Sequence, residues 1–420
     1  MTTDPSDTAP RASRGPSHAR TLARHNVGRR IAMALTGVLA FVAVGGVAVA
    51  ASLTGNITTE GVTEAMRADV EKPPPTDPDA GEPLNILLLG SDYRGGENTD
   101  FAVDGVTGMR SDTAIVAHVS ADRERVELVS IPRDSMVDRP ECTATDGTAI
   151  PGGHDLFNSA FAYGADRGGD IASAAACSMN TISTLTDLYI DDYVVVDFAG
   201  FEKMVDAIGG VPICIPEAID DPKADLDIEA GEQTLDGADA LGFARVRYGV
   251  GDGSDLSRIG RQQQLLAATM RQVLGKNLLT DAPALFDFLT AATSSLTVSD
   301  GLGSITDLTG LAYSLRGIGP DSITFMTIPN AADPADPNRV VWTSEADDVW
   351  ERLVADEPVT GEPEPTSEPT ATDEPTEGSD EATDGSETDA ATDDESSEPQ
   401  ETKDAGKEAF TSDDVTAVCG

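Results

Sequence analysis

NILLLGSDYR, residues 85–94, holds the continuous apolar run Ile86–Leu89 and ends in polar residues. A run of this length without alternation is the pattern of a strand buried on both faces. By the same patterning, strands are expected at Leu84–Gly90, Thr113–Val119, Arg125–Ile131, Tyr193–Phe198, Val211–Ile215 and Ser322–Ile328. Between them, helical periodicity marks Asp170–Leu188, Ala199–Ile208, Asp255–Leu274, Ala282–Ala292 and Ser304–Leu315. Gly209 and Gly210 make a C-cap for the second of these helices. Strands interleaved with helices imply an α/β fold, a three-layer α/β/α sandwich around a central mixed sheet.

Ligands of open α/β sheets sit at the carboxyl ends of strands, and the polar residues of this chain collect there. Asp92 and Arg94 follow the first strand, and Arg110-Ser111-Asp112-Thr113 leads into the second. Two carboxylates brought together suit Mg²⁺, which takes one or two carboxylates and completes its shell with phosphate oxygens and water. The plainer alternative makes Asp92 a turn residue and Asp112 a cap. Ser130-Ile131-Pro132-Arg133-Asp134-Ser135 is a third strand end, where Arg133 could bind phosphate and Asp134 orient it or accept a proton. An ordinary exposed Arg–Asp pair is the alternative.

Two further clusters are arginine-rich. In Ala244-Arg245-Val246-Arg247-Tyr248, read as extended, the arginines at i and i+2 point to one side. Paired guanidinium forks suit a pyrophosphate, whose oxygens they match bidentately, and a solvated strand face is the alternative. In Asp255-Leu-Ser-Arg258-Ile-Gly-Arg261-Gln262-Gln-Gln264, Asp255 reads as an N-cap. Arg258, Arg261 and Gln262 then share one helix face, opposite a buried stripe of Ile259, Leu266, Met270 and Val273. Arginines in a first helical turn oppose the helix dipole unless an anion is bound among them.

The composition narrows the partners. The 420 residues carry 28 Lys and Arg against 74 Asp and Glu, a net charge of −46. Phosphate-backbone binding needs a net basic surface, so nucleic acid is excluded as the main partner. The histidines, His18, His25, His118 and His154, fall where no Ser-His-Asp triad or histidine metal site can assemble, and no P-loop or G-x-G-x-x-G follows a strand.

Outside the α/β region of residues 81–356 the chain changes character. Residues 1–30 are Arg-rich, and the apolar run 31–53 is long enough to span a bilayer as a helix. Arginines before the span place the N-terminus in the cytoplasm and the rest outside, at the cell membrane. A cleaved signal peptide is the alternative, but its apolar region is usually about 7–15 residues, shorter than this run. Residues 54–80 read as a juxtamembrane linker. Residues 357–408 are Glu, Asp, Thr, Pro and Ser with almost no large apolar side chains, a composition that cannot offset its ordering entropy. Residues 409–420 turn apolar again before Cys419, so the acidic tract reads as an inserted loop, with a free tail as the alternative. Cys142, Cys177, Cys214 and Cys419 show no C-x-x-C spacing, and an even count in an oxidising space suggests two disulfides among three connectivities. The preferred pairing joins Cys142 to Cys177 in a local loop and Cys214 to Cys419 at the end of the chain.

Taken together, NILLLGSDYR (85–94), RSDTAIV (110–116), SIPRDS (130–135), FNSAFAYG (157–164), DYVVVDFAGFEKMVDAIGGV (192–211), LDGADALGFARVRYG (235–249) and DLSRIGRQQQ (255–264) resemble the LytR-CpsA-Psr family of bacterial cell-wall proteins. The resemblance covers most of residues 84–275, and the low lysine and high alanine content suggests an actinobacterial envelope. It implies an enzyme, a phosphotransferase that moves a phosphorylated glycopolymer from a polyprenyl-pyrophosphate carrier to a peptidoglycan sugar hydroxyl. It also implies that Asp92 and Asp112 hold Mg²⁺, that Arg110, Arg133, Arg245, Arg247, Arg258 and Gln262 contact the pyrophosphate, and that Arg261 assists. Catalysis then falls to Asp92, Asp112, Arg133 and Asp134, with the general base open between Asp92 and Asp134. The Gly- and Asp-rich link Gly95–Gly108 is longer than the family's usual one. The two carboxylates meet only if it loops away. A carrier-binding or pyrophosphatase module without transfer is the alternative function, and an envelope regulator the lesser one.

Overall fold

The computed structural model describes residues 51–63, 66, 69–72, 81–93, 98, 108–247, 250–251, 253–275, 282–360, 402–414, 416 and 419. The basic head, nearly all of the apolar run 31–53, Arg94, most of the 95–108 link, Tyr248 and residues 361–401 lie outside them. Among the described residues no helix is long and apolar enough to cross a membrane.

The strands of the central sheet are β1 (Thr58–Thr59), β2 (Leu84–Ser91), β3 (Ser111–Val119) and β4 (Val126–Ser130). After four short strands (β5, Met136–Arg139; β6, Cys142–Thr143; β7, Ala149–Ile150; β8, Gly153–Leu156) comes β9 (Asp192–Asp197). A second group of short strands (β10, Val211–Ile215; β11, Ile219–Asp221; β12, Leu226–Ile228; β13, Gly231–Leu235) precedes β14 (Leu296–Val298) and β15 (Ile323–Thr327). The hairpin strands β16 (Asn330–Ala332) and β17 (Val340–Trp342) follow, and β18 (Phe410–Thr411) comes last. The helices are α1 (Asn158–Gly168), α2 (Ile171–Thr186), α3 (Phe198–Ala207), α4 (Gly237–Arg245), α5 (Asp255–Gly275), α6 (Ala282–Ser295), α7 (Ile305–Ser314) and α8 (Ser344–Val354).

Eight strands form the sheet in the order β1-β14-β9-β2-β3-β4-β15-β18. It is mixed: β2 runs antiparallel to β3 and parallel to β9, and β4 runs parallel to β15. The apolar run that opens the reading sits at its centre and is buried on both faces. Leu87 and Leu89 pack with Phe161, Ala175, Met179, Ile182 and Trp350 from α1, α2 and α8. Ile86 and Leu88 point the other way, toward Ala267 and Met270 of α5 and Leu308 and Leu311 of α7. Period-two side-chain alternation along one strand thus feeds two cores and makes three layers. A third core, at one end, gathers α3, α4 and β10–β13 around Val205, Ile215, Leu226 and Phe243.

Local signals explain the boundaries. Asp170 caps α2 by accepting from Ser173 N at 2.6 Å, and Asp197 ends β9 and caps α3 by accepting from Gly200 N at 2.7 Å. Gly209 and Gly210 close α3 with φ of 74° and 84°, Gly210 N reaching Val205 O at 3.0 Å. Val211–Ile215 is a strand, but it pairs with β13 outside the main sheet. The sulfurs join Cys142 to Cys177 and Cys214 to Cys419, with Cα–Cα distances of 5.3 and 5.5 Å. The end of the chain returns to the body: β18 pairs antiparallel with edge strand β15, and Phe410 stacks on Phe325 at 5.1 Å between centroids.

Candidate active site

Two sequence expectations change in the backbone around the site. Ala244 and Arg245 are not extended: Arg245 is the last residue of α4, which Asp236 caps by accepting from Asp239 N at 3.0 Å. The stretch Gly237–Arg245 carries three alanines, and a good cap makes the helix win over a strand. Arg245 and Arg247 therefore do not point together by strand alternation; Arg245 lies over the Phe198 ring at 4.7 Å, while Arg247 reaches Asp255 at 3.5 Å. Nor is Asp255 the N-cap of α5, because Ser254 Oγ accepts from Ser257 N at 3.1 Å. That frees the Asp255 carboxylate.

Asp255 is the hub. Its Oδ1 accepts from Arg258 Nη2, stands 3.4 Å from Arg133 Nε and 3.5 Å from Arg247 Nη2. Three arginines from the β4 turn, the α4 exit and the first turn of α5 thereby converge on one carboxylate. Arg133 also donates to Asp112 Oδ1 and faces Asp134 Oδ2 at 3.7 Å. Arg258 Nη2 donates to the Asp112 carbonyl at 3.2 Å. A further arginine that no sequence signal marked, Arg339 before β17, lies 3.8 Å from Asp134.

The centre of the cluster is nearly closed to water, with the Arg258 side chain 4% exposed and that of Asp255 11%, while Asp112 and Arg247 open its edge. Burial pushes the Asp255 carboxyl above the usual carboxylate range, although Arg258 and Arg133 pull against it. Burial holds Arg258 below the ordinary guanidinium value. Burial also opposes the charge on Arg133, but the carboxylates of Asp112, Asp255 and Asp134 outweigh it and hold Arg133 up. Arg133 Nε, Arg258 Nε and Asp255 Oδ2 are buried without a hydrogen-bond partner. Guanidinium donors left unspent in a cluster with exposed members fit an anionic ligand that can supply several acceptors at once.

The other sequence-marked residues divide by role. Arg261 donates to the Val246 carbonyl at 2.5 Å and to Ser257 Oγ at 3.0 Å, and Gln262 to the Ala244 carbonyl at 3.2 Å. Both hold the 244–247 segment against α5. Gln263, unmarked in the sequence, is buried and donates to Ser130 Oγ at 3.0 Å and Thr327 Oγ1 at 3.2 Å. Arg110 is exposed, and its backbone continues the β2–β3 ladder. Asp92 N donates to Arg110 O at 3.0 Å, and Arg110 N to Asp92 Oδ1 at 2.6 Å. The ends of the 95–108 link are thus drawn together. Asn98 is anchored as well, to Asp197 Oδ2 at 2.9 Å. Asp92 is buried, whereas the Asp112 side chain is 38% exposed beside Arg133. Among the described residues no three His, Cys, Asp or Glu side chains gather as a metal cage. The hard oxygen donors of Asp92 and Asp112 suit Mg²⁺, which does not need one.

A family model described as the LytR_cpsA_psr family matches residues 50–354. The probable cell wall biosynthesis protein LcpB of Corynebacterium glutamicum is 34% identical over 267 residues, covering 61% of this chain and 58% of its own. LcpA of the same organism, a cell wall biosynthesis protein, is 30% identical over 261 residues, covering 58% of this chain and 49% of its own. The TagU of Oceanobacillus iheyensis, named a polyisoprenyl-teichoic acid–peptidoglycan teichoic acid transferase, is 33% identical over 207 residues, 49% of this chain and 56% of its own. The chain thus spans about half the length of the curated relatives it matches. In fold it is similar to the crystal structure of protein gbs0355 from Streptococcus agalactiae, with a TM-score of 0.51 and 19% identity, over 65% of this chain and 87% of that one.

Proposed function

Because this chain belongs to the LytR_cpsA_psr family, we propose that it transfers a phosphorylated glycopolymer from a polyprenyl-pyrophosphate carrier to a peptidoglycan sugar hydroxyl. In this reading residues 31–53 anchor it in the cell membrane and the α/β domain works outside. The name of the TagU relative, a transferase between polyisoprenyl-linked teichoic acid and peptidoglycan, points the same way. The observation that carries the reading is the convergence of Arg133, Arg247 and Arg258 on Asp255, with buried guanidinium donors still unspent.

Phosphoryl transfer asks for positioning and charge neutralisation more than for an elaborate nucleophile. Without substrate, Asp112, Asp134 and Asp255 neutralise the arginines. A pyrophosphate entering the cluster takes the Arg133 and Arg258 donors, and Arg133 exchanges the Asp112 carboxylate for a phosphate oxygen. Asp112 is then released, and with Asp92 it would hold Mg²⁺, which when bound supplies charge neutralisation at the pyrophosphate oxygens. The acceptor hydroxyl attacks the phosphorus bearing the glycan, the bridging P–O bond breaks, and polyprenyl phosphate leaves. Asp134, placed between Arg133 and Arg339, is positioned to take the hydroxyl proton. Arg247, at the exposed edge of the cluster, meets the outer oxygens, and Arg110, exposed two residues before Asp112, is assigned the same role.

The test is transfer by the full chain in detergent, from a synthetic polyprenyl-pyrophosphate glycan to a peptidoglycan oligomer, with Mg²⁺ or EDTA, for wild type, Asp112→Asn and Arg258→Gln. Metal-dependent transfer lost in both variants supports the reading. Tight lipid binding without transfer, unchanged in Asp112→Asn, replaces it with a carrier-binding module.

A further inference from the structure

Arg139, at the end of β5, is 6% exposed, and its Nε and Nη1 are buried without a hydrogen-bond partner. A buried guanidinium with unmade bonds costs several kcal/mol unless something anionic meets it (about 1–3 kcal/mol for each stranded donor). The carboxylate nearest by charge, Asp155, attracts Arg139 but does not bond to it, its Oδ1 accepting from Leu156 N at 2.8 Å. Burial holds the Arg139 guanidinium below its ordinary value.

The guanidinium lies over the Tyr163 ring, 4.5 Å from its centroid. Stacking uses the flat face of the cation and leaves its N–H donors, which lie in its plane, available. A second cation, Arg167, approaches the same ring at 6.0 Å, and no hydrogen bond or ion pair engages it among the described residues. Arg167 is exposed and Tyr163 is 36% exposed, so the cluster opens to solvent through these two. One aromatic ring thus gathers two cations, one of them buried with donors in reserve. The two guanidiniums repel, and Asp155 attracts Arg139 without bonding to it, so an oxyanion between them would offset the repulsion and use the stranded donors.

We propose that Arg139 and Arg167, arrayed about Tyr163, form an oxyanion subsite for a phosphate or carboxylate group. It belongs to β5 and α1, separate from the Asp255 hub, and does not depend on the transfer reading. Arg139 lies six positions after Arg133, so at about 3.4 Å per extended residue their Cα atoms are at most ~20 Å apart. A glycan strand bearing a second anionic group could reach both.

The test places 3-fluorotyrosine at position 163 of the full chain in detergent and follows its ¹⁹F signal during titration with inorganic phosphate and, separately, acetate, at constant ionic strength. Wild type, Arg139→Met, Arg167→Gln and Arg258→Gln are compared. The expected result is a saturable shift that needs roughly tenfold more anion in Arg167→Gln, vanishes in Arg139→Met and survives in Arg258→Gln. Saturation by phosphate alone assigns a phosphate ligand, and saturation by acetate a carboxylate. No saturable shift with either anion overturns the proposal, as does a shift that persists in both Arg139→Met and Arg167→Gln. Arg139→Met, which removes a stranded cation, is expected to unfold no earlier than wild type. Should it fail to fold, the exposed Arg167→Gln decides alone.

Discussion

Asp255 Oδ1 stands 3.4 Å from Arg133 Nε, joining the first turn of α5 to the turn that follows β4. Arg133 also pairs with Asp112 and Asp134, but among the described residues the Arg247 and Arg258 side chains have their ion pair with Asp255, so replacing it leaves buried positive charge uncompensated. Asp255→Asn should cost on the order of 3 kcal/mol, the usual penalty for removing one partner of a buried ion pair. Added pyrophosphate should then raise the unfolding temperature of Asp255→Asn by more than it raises that of wild type, because it supplies the missing negative charge. Thermal unfolding with and without pyrophosphate checks this, and an equal shift in the two proteins would remove the hub from the anion site.

At the opposite end of β3, buried His118 bonds Asn85 Oδ1 at 2.7 Å and Asp356 Oδ1 at 3.0 Å, while Asp356 Oδ2 accepts from Ala121 N at 3.1 Å. Burial alone would lift the Asp356 carboxyl, but His118, the Ala121 amide and Arg125 outweigh it and hold it below the usual range. A carboxylate depressed in the fold stabilises above its unfolded pKa, and that stability is lost as pH falls through the folded one. Acid should therefore loosen the exit of α8 before the sheet. The protection factor of the Ala121 amide, which donates to Asp356 Oδ2, should fall on acidification. Asp356→Asn should lose about 1.5–3 kcal/mol at neutral pH, the value of hydrogen bonds to a charged group, and flatten that acid response. An unchanged pH profile in the variant would assign the acid sensitivity elsewhere.

Burial and period were strong enough to expose the architecture in the sequence. Ile86–Leu89 is apolar throughout because it feeds two cores, and Asp170 and Ser304, where the sequence reading starts two helices, turn out to be their N-caps. The site was legible as residue types and only partly as geometry. Arg245 was misplaced because Arg-Val-Arg alternation fits a strand as well as the end of a capped helix. Asp255 was absorbed by a capping role that Ser254 fills, although an acid three residues before Arg258 carried a pairing signal. Gln263 and Arg339 left no local trace, since their partners Ser130 and Asp134 are distant in sequence.

Arg261 and Arg258 should separate experimentally. Arg261 donates to the Val246 carbonyl and to Ser257, which makes it a brace for the 244–247 segment. Arg261→Met should lose about 2–4 kcal/mol of stability, by stranding an acceptor and removing charged hydrogen bonds. Pyrophosphate affinity, measured by calorimetry below the unfolding transition, should fall only modestly. Arg258→Gln should show the reverse balance, with most of the loss in affinity. Equal losses of affinity in both would return Arg261 to direct ligand contact.

The chain's return segment rests on α5 through two glycines. A Cβ at Gly260 would stand 2.3 Å from the Ala405 carbonyl, and Gly406, at φ 89°, has its N donating to Gln263 Oε1 at 3.0 Å. Gln263 in turn bonds Ser130, at the root of the Arg133 turn. The close approach leaves no room for a methyl group, so Gly260→Ala must push residues 405–406 off the helix, at about 1–3 kcal/mol for overpacking. Phe410, stacked on Phe325, and the β18–β15 pairing should hold the far end in place. Amide exchange should therefore rise at Gly406 and stay slow at Phe410. Combining Gly260→Ala with Cys214→Ser, which removes the bond to Cys419, should release the whole segment and raise exchange at Phe410 as well. Slow exchange at both amides in the double variant would mean that neither contact holds the segment.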